Sequence, residues 1–212
     1  MKAGIAGAGI TGQLLALNLI NSGWDVSLFD QSTQTSCSLA AAGLLTPISE
    51  LDKSDFIISQ LGQDALETHW PSILAQLSTP VYFKKLGSIS VAHPNDQADL
   101  VHFVQRIQHR INNKQQCQKL TQDTLHQLEP ELSKFTEAYY FPDEGQIDNQ
   151  SLLQALENEL LKQGIKWYCG SFIKDIKPHQ ILSEEKNHYF DMVFDCRGLG
   201  SKSLFKNLRG IR

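Results

Sequence analysis

The chain opens with Met1-Lys-Ala-Gly-Ile-Ala-Gly-Ala-Gly-Ile-Thr-Gly12, a short apolar stretch running directly into Gly-x-Gly-x-x-Gly. Few patterns restrict a backbone more. Gly7 allows a tight strand-to-helix turn. Gly9 lets phosphate oxygens reach the main chain. Gly12 lets the following helix lie close to the strand. The helix start then offers free N–H groups and a positive dipole end to an anion. The context fits on both sides. Leu14, Leu15, Leu17, Leu19 and Ile20 give a broad apolar helical face, and Asn21-Ser22-Gly23 supplies a C-cap. A second strand, Val26-Ser-Leu-Phe29, ends at Asp30, 18 residues after Gly12 (30 − 12), close to the ~20 expected of the acid that accepts ribose hydroxyls. A carboxylate there repels a 2′-phosphate, which disfavours an NADP-type ligand.

A chain of 212 residues allows one large domain or two small ones. Its 41% hydrophobic and 20% charged residues are ordinary for a folded soluble protein. The net charge of −4 and the scattered basic residues argue against nucleic acid. No apolar stretch reaches the ~18 residues of a membrane span. The N-terminus reads as a first strand rather than a cleavable signal, so a cytoplasmic location is expected. Cys37, Cys117, Cys169 and Cys196 form no C-x-x-C pair and are expected to be free thiols. No His/Cys/Asp grouping has metal-ligand spacing, so no metal is expected.

Further along, a hydroxyl-rich loop, Gln31 to Ser38, leads into Leu39-Ala-Ala-Ala-Gly-Leu-Leu-Thr-Pro47. Such small residues suit either a tightly packed helix end or backbone passing close to a flat ligand. Residues 55–77 read as one long helix that Pro71 kinks or divides, with Phe56, Ile57, Leu61, Leu66, Trp70, Ile73, Leu74 and Leu77 on its buried face. Residues 81–86 and 88–92 read as strands paired with each other across Gly87. Helices are expected around 97–111 and 121–128, and a strand over 138–141. Asp148 is expected to cap a helix over 151–163 whose face is Leu152, Leu153, Leu156, Leu160 and Leu161. Residues 165–168, 172–176 and 180–182 alternate like an antiparallel meander. Residues 190–195 form an apolar run of the kind found in a buried parallel strand. That run opens into Cys196-Arg-Gly-Leu-Gly-Ser201, a second glycine-rich turn at the strand edge where α/β sheets bind ligands. The expected architecture is α/β. A Rossmann-like unit with a parallel sheet comes from residues 1–46 and 148–212, and an inserted α+β lobe from 47–147. His69, His93, Asp143 and Glu144 read as solvated polar residues rather than catalytic ones.

Taken together, these motifs resemble the FAD-dependent oxidoreductases of the D-amino-acid oxidase type, and among them the glycine oxidases of thiamine biosynthesis. The resemblance is carried by Gly7-Ala-Gly-Ile-Thr-Gly12, Asp30, Ala40-Ala-Ala-Gly-Leu-Leu-Thr-Pro47 with Glu50-Leu51, Leu128-Glu-Pro130, Tyr140 to Asp148, Asp195-Cys-Arg-Gly-Leu-Gly200 and Leu208-Arg-Gly-Ile-Arg212. It implies FAD as cofactor. Gly7, Gly9 and Gly12, with Ile10 and Thr11 between them, would hold its pyrophosphate. Asp30, beside Gln31, would hold the adenosine ribose. Ser38, Ala41, Ala42, Gly43 and Leu44 would line the path to the flavin. Cys196, Arg197, Gly198 and Gly200 would close over the adenine side. The family's fold continues beyond the Arg-Gly segment, so the resemblance implies a substrate lobe that is C-terminally incomplete. It also implies that the arginine clamping the substrate carboxylate is missing, and no catalytic residue is assigned.

The implied reaction is oxidation of glycine or a small D- or secondary amino acid to an imine, with dioxygen consumed and hydrogen peroxide formed. Orienting the α-carbon and excluding water would be the protein's part, and hydride loss requires no protein acid or base. The resemblance leaves homo-oligomerisation open. Three other readings share the N-terminal motifs: a flavin monooxygenase or cofactor-maturation flavoprotein, an NAD-dependent dehydrogenase, and an inactive N-terminal fragment. The dehydrogenase reading lacks a Tyr-x-x-x-Lys pair.

Overall fold

A computed structural model describes residues 1–31, 36–184 and 186–203. In chain order the elements are β1 (Lys2–Ala6), α1 (Ile10–Asn21), β2 (Asp25–Asp30), the short α2 (Cys37–Ala40), β3 (Leu44–Leu45) and α3 (Phe56–Asp64). A π-helical turn, Ala65–His69, connects α3 to α4 (Trp70–Leu74). Then come β4 (Phe83–Lys84), β5 (Ser88–Val91), α5 (Gln97–Gln108), β6 (Gln118–Leu120), α6 (Gln122–Leu128), β7 (Ala138–Phe141) and β8 (Gly145–Ile147). The last elements are α7 (Asn149–Lys162), β9 (Lys166–Cys169), β10 (Ile173–Lys177), β11 (Gln180–Ser183), β12 (Asn187–Tyr189) and β13 (Met192–Asp195). Contacts divide the chain into two compact units. The first takes Met1–Ala42, Leu77–Val81 and the described part of Asp148–Arg212. The second takes Gly43–Gln76 and Tyr82–Ile147.

The first unit is built on a parallel sheet in the order β13-β1-β2-β9. β1 lies inside it, with Ala3, Ile5 and Ala6 fully buried, which is why the strand is apolar at successive positions. Gly4 has a packing role: a Cβ there would lie 2.5 Å from the Phe190 ring. The antiparallel meander β10-β11-β12 belongs to the same unit. An aromatic group there gathers around Phe29, whose ring stacks on Tyr168 at 4.6 Å and meets Phe190 edge-on at 6.0 Å. Asp148 caps α7 through bonds from the Gln150 and Ser151 N–H groups, and Leu152, Leu153, Ala155, Leu156 and Leu160 face inward. Glu159 replaces the expected Leu161 on that inner face, and Leu161 is half exposed. The Glu159 carboxylate accepts a hydrogen bond from the Ser78 hydroxyl at 2.6 Å, which ties segment Leu77–Val81 to this unit.

Several expectations change here. Residues 165–168 do not join the meander, because β9 pairs in parallel with β2, Ser27 against Lys166 through Asp30 against Cys169. The third meander strand is β12, which the sequence reading missed. β13 pairs only with β1, so it is a partly exposed edge rather than a buried interior strand among the described residues. On α1 the fully buried residues are Gly12, Gln13, Ala16 and Leu17, whereas Leu14, Leu15, Leu19 and Ile20 are partly covered.

The second unit contains two antiparallel three-stranded sheets, β3-β8-β4 and β5-β7-β6. Its core joins Ile48, Leu51, Leu100, Val104, Ile107, Cys117, Tyr139 and Phe141. Residues 81–86 and 88–92 are not partners: β4 pairs with β8 and β5 with β7. Gly87 at φ +81° separates the strands instead of closing a hairpin, and a Cβ there would lie 2.3 Å from the Tyr140 ring. The expected helix over 55–77 is α3, the π turn and α4. Its face is the reverse of the expected one near the start. Ser59 is fully buried and Leu66 nearly so, while Phe56, Ile57, Ile58 and Leu61 are 45–58% exposed. The close seat of Gly62 on Pro47 sets this orientation, since an added Cβ would lie 2.9 Å from the Pro47 Cβ.

Glu144 is completely buried, not solvated. Its carboxylate accepts bonds from the Ser49 N–H at 2.6 Å, the Ser49 hydroxyl at 2.5 Å and the Ser88 hydroxyl. It thereby joins the Ile48–Leu51 segment to β5. Burial pushes this carboxyl above the ordinary glutamate value despite those bonds. A raised folded-state value favours the protonated form, so its contribution is greatest below the unfolded-state value and declines as pH rises through the folded one. We expect the difference in urea midpoint between Glu144→Gln and the parent to grow in favour of the variant from pH 4 to pH 7. Glu144→Ala should cost about 1–3 kcal/mol at pH 7 by leaving the two serines unpaired. A parent whose stability tracks Glu144→Gln at every pH would contradict the assignment.

Candidate nucleotide-binding site

The site grows out of the β1–α1 turn. Gly7 has φ +101°, and a Cβ there would lie 2.5 Å from the Cys196 carbonyl oxygen. Both the backbone conformation and the neighbouring turn therefore require glycine. At Gly12 an added Cβ would stand 1.9 Å from the Gly7 oxygen. Gly9 has no side chain to cap α1 and no acid sits in the first turn, so the positive end of the helix stays uncompensated by its own residues. Ser38 provides one partner, its hydroxyl accepting from the Ile10 N–H at 3.0 Å. Asn149, the first residue of α7, holds α2 in place by donating to the Ser38 carbonyl at 2.6 Å.

Around this turn lies a cleft of about 590 Å3 at the C-terminal ends of β1, β2 and β13. It gathers Gly7, Gly9, Ile10, Thr11, Asp30, Gln31, Ser38, Cys196, Arg197, Gly198 and Gly200 from four separate stretches of sequence. Gly12 works from behind, packed on Gly7. Ala41 and Ala42 are exposed and do not line the cleft, and Gly43 and Leu44 belong to the second unit. Gly43 has φ +73° and its carbonyl accepts from the Ile147 N–H at 2.8 Å, so its role there is to start β3. The sequence reading missed Phe29, Ser36, Cys37, Ser171, Phe172, Ile173 and Leu199, all of which line the cleft. Phe172 carries a readable signal, being a large apolar side chain left 44% exposed just before a strand. The Leu208–Arg212 segment lies outside the described residues.

Two charged groups among the described residues line the cleft, Asp30 and Arg197. Asp30 Oδ1 accepts from the Ala8 N–H at 3.2 Å. Its Oδ2 is buried and has no hydrogen-bond partner among the described residues. Burial pushes the Asp30 carboxyl above the ordinary aspartate value, opposed by the Ala8 and Gln31 N–H groups. An orphaned, desolvated acceptor in a cleft suits a ligand hydroxyl that completes its bonding. Arg197 is neutralised by a bidentate pair to Asp195, at 2.9 and 2.7 Å, and the Ser201 hydroxyl donates to the same carboxylate at 3.0 Å. Burial opposes the charged form of Asp195, but Arg197 and Ser201 outweigh it and hold the carboxyl below its ordinary value. This network fixes the second glycine-rich turn rather than offering a free cation.

The four cysteines are free thiols, and no described grouping of His, Cys, Asp and Glu could hold a metal ion. No helix among the described residues is long and apolar enough to cross a membrane. No match was found among curated protein sequences. Among solved structures, the fold is similar to glycine oxidase from Geobacillus kaustophilus (TM-score 0.81, 20% identity, 96% of this chain and 57% of that one). It is also similar to glycine oxidase from Bacillus cereus (0.76, 22% identity, 97% and 57%) and iminodiacetate oxidase from a Chelativorans species (0.80, 20%, 96% and 57%). The chain thus spans a little over half the length of these proteins, and at such identity the likeness establishes the fold. The model of the FAD dependent oxidoreductase (DAO) family matches residues 2–212, and with the glycine turn, the acid at the end of β2 and the parallel sheet in place, the chain belongs to that FAD-dependent family.

Proposed function

We propose that the first unit holds the adenosine-diphosphate part of FAD, and that the chain serves an oxidase deaminating glycine or a small D- or secondary amino acid, with hydrogen peroxide formed. The observation that carries the cofactor assignment is the unpartnered Asp30 Oδ2, lining the same cleft as the glycine turn. In this reading the N–H groups at the start of α1, reached across Gly7 and Gly9 beside Ile10 and Thr11, receive the pyrophosphate. Asp30, with Gln31 next to it, accepts the ribose hydroxyls. Phe172 and Leu199 provide apolar surface near the turn of Cys196, Arg197, Gly198 and Gly200, where the adenine would rest. Ser38 orients the helix start. Ala41, Ala42, Gly43 and Leu44 keep their assignment to the flavin path by family resemblance, not by the cleft. Bound FAD supplies the two-electron acceptor for amine oxidation.

The amine substrate rests on the family and on neighbours whose names specify glycine and iminodiacetate oxidation. Dioxygen as second substrate and a soluble location follow the same reading. A nicotinamide-dependent monooxygenase is the competing use of the same cleft.

Asp30→Ala should weaken ADP or FAD binding by roughly tenfold to a hundredfold, the worth of hydrogen bonds to a charged acceptor, measured by calorimetric titration of the purified chain. Affinity unchanged by that substitution would remove Asp30 from the site. The oxidase that this chain serves should release peroxide from glycine or sarcosine without nicotinamide. A strict need for NADH or NADPH would favour the monooxygenase. Flavin retained by that oxidase without any peroxide would refute the oxidase reading while leaving cofactor binding intact.

A further inference from the structure

We infer that Asn149 is a positioning residue for the cofactor: its side-chain amide fixes the α2 turn so that the Ser38 hydroxyl stands at the start of α1, where the pyrophosphate would be received. The inference rests on the reading of this cleft as the FAD site. Asn149, α2 and the start of α1 all belong to the first unit.

α2 has little of its own to hold it in that place. It is four residues long, and none of them is buried. Its cap, the Ser36 hydroxyl accepting from the Leu39 N–H at 3.3 Å, orders the turn without tying it to the rest of the unit. The last carbonyls of a helix have no partners within it. Asn149 satisfies two of these, donating to the Ser38 carbonyl at 2.6 Å and to the Leu39 carbonyl at 3.3 Å, from 111 and 110 positions away in sequence.

The anchor behind Asn149 is firm. It is the first residue of α7, a 14-residue helix capped by Asp148 and fixed by the buried Leu152, Leu153, Leu156 and Leu160. At the other end of the link, the Ser38 hydroxyl accepts from the Ile10 N–H at 3.0 Å. It lies so near the Gly9 backbone that a Cβ there would stand 3.1 Å from its oxygen. That hydroxyl donates to no group among the described residues, so its proton is left for an anion beside the turn. Ser36, Cys37 and Ser38 line the cleft, whereas Asn149 does not. Asn149 therefore acts on the ligand through α2, by ordering the turn before the ligand arrives and sparing the ligand that cost.

The test compares ADP with adenosine, which lacks the phosphates, by equilibrium dialysis against the purified 212-residue chain. The proteins are the parent, Asn149→Ala, Asn149→Ser, Ser38→Ala and the Asn149→Ala/Ser38→Ala pair. Alanine suits a helix, so Asn149→Ala should keep the parent's far-ultraviolet circular dichroism. It should weaken ADP roughly tenfold, the worth of a hydrogen bond to a charged oxygen, and leave adenosine affinity unchanged. Asn149→Ser, with a shorter reach, should give the same split between the two ligands. In the Ser38→Ala background, Asn149→Ala should cost no further ADP affinity, because the hydroxyl it positions is gone. Adenosine weakened as much as ADP would make the role of Asn149 generally structural and overturn the inference. Undiminished ADP affinity in Asn149→Ala, or full additivity of the two substitutions, would overturn it as well. A parent chain that binds neither ADP nor adenosine would overturn the FAD reading and this inference together.

Discussion

The contact between Gly12 and the Gly7 carbonyl is the constraint on which the first unit's site depends. With no room for even one methyl group between them, α1 must start directly over the end of β1. That places the uncompensated N–H groups of the helix at the edge of the sheet. The same edge receives the end of β2, which brings Asp30, and the end of β13, which brings the second glycine-rich turn against Gly7. One close backbone approach thus brings together residues from stretches far apart in sequence.

Polar groups around the site divide into those that build it and those left for a ligand. Asp195, Arg197 and Ser201 satisfy one another and fix a turn. Asn149 spends its amide on α2. Asp30 is different, since one oxygen is used and the other is buried without a partner. Gln13 Oε1, Gln97 Oε1 and Trp167 Nε1 are also unpartnered, but they are neutral and do not line the cleft. A desolvated charge costs more to leave unmatched than a neutral group, which is why the proposed ribose contact falls on Asp30 Oδ2. The same cost explains the buried Glu144, which is surrounded by donors and closes the second unit's core.

Family and chemistry are legible to different depths. The glycine spacing, the acid at the end of β2 and the glycine-rich turn after β13 are local patterns, and the structure brings all three to one edge of the sheet. The family model covers the same span. The amine and the fate of the electrons depend on groups that local motifs do not specify, so they remain a proposal drawn from the family and from neighbours at 20–22% identity.

What the sequence determined by itself was the short-range geometry: the Gly7 turn and the α1 and α7 termini with Gly23 and Asp148. Each is set by steric or hydrogen-bonding needs within a few residues. Only the tertiary structure decided that β9 joins β2, that residues 81–92 split between two sheets, and that α3 turns Ser59 inward with Phe56, Ile57 and Leu61 outward. Alternation and apolar periodicity indicate that a face exists, but not which distant strand or helix meets it. That choice lies in long-range contacts such as Phe29 on Tyr168 and Gly62 on Pro47, whose partners are far apart in the chain and therefore invisible to any local pattern.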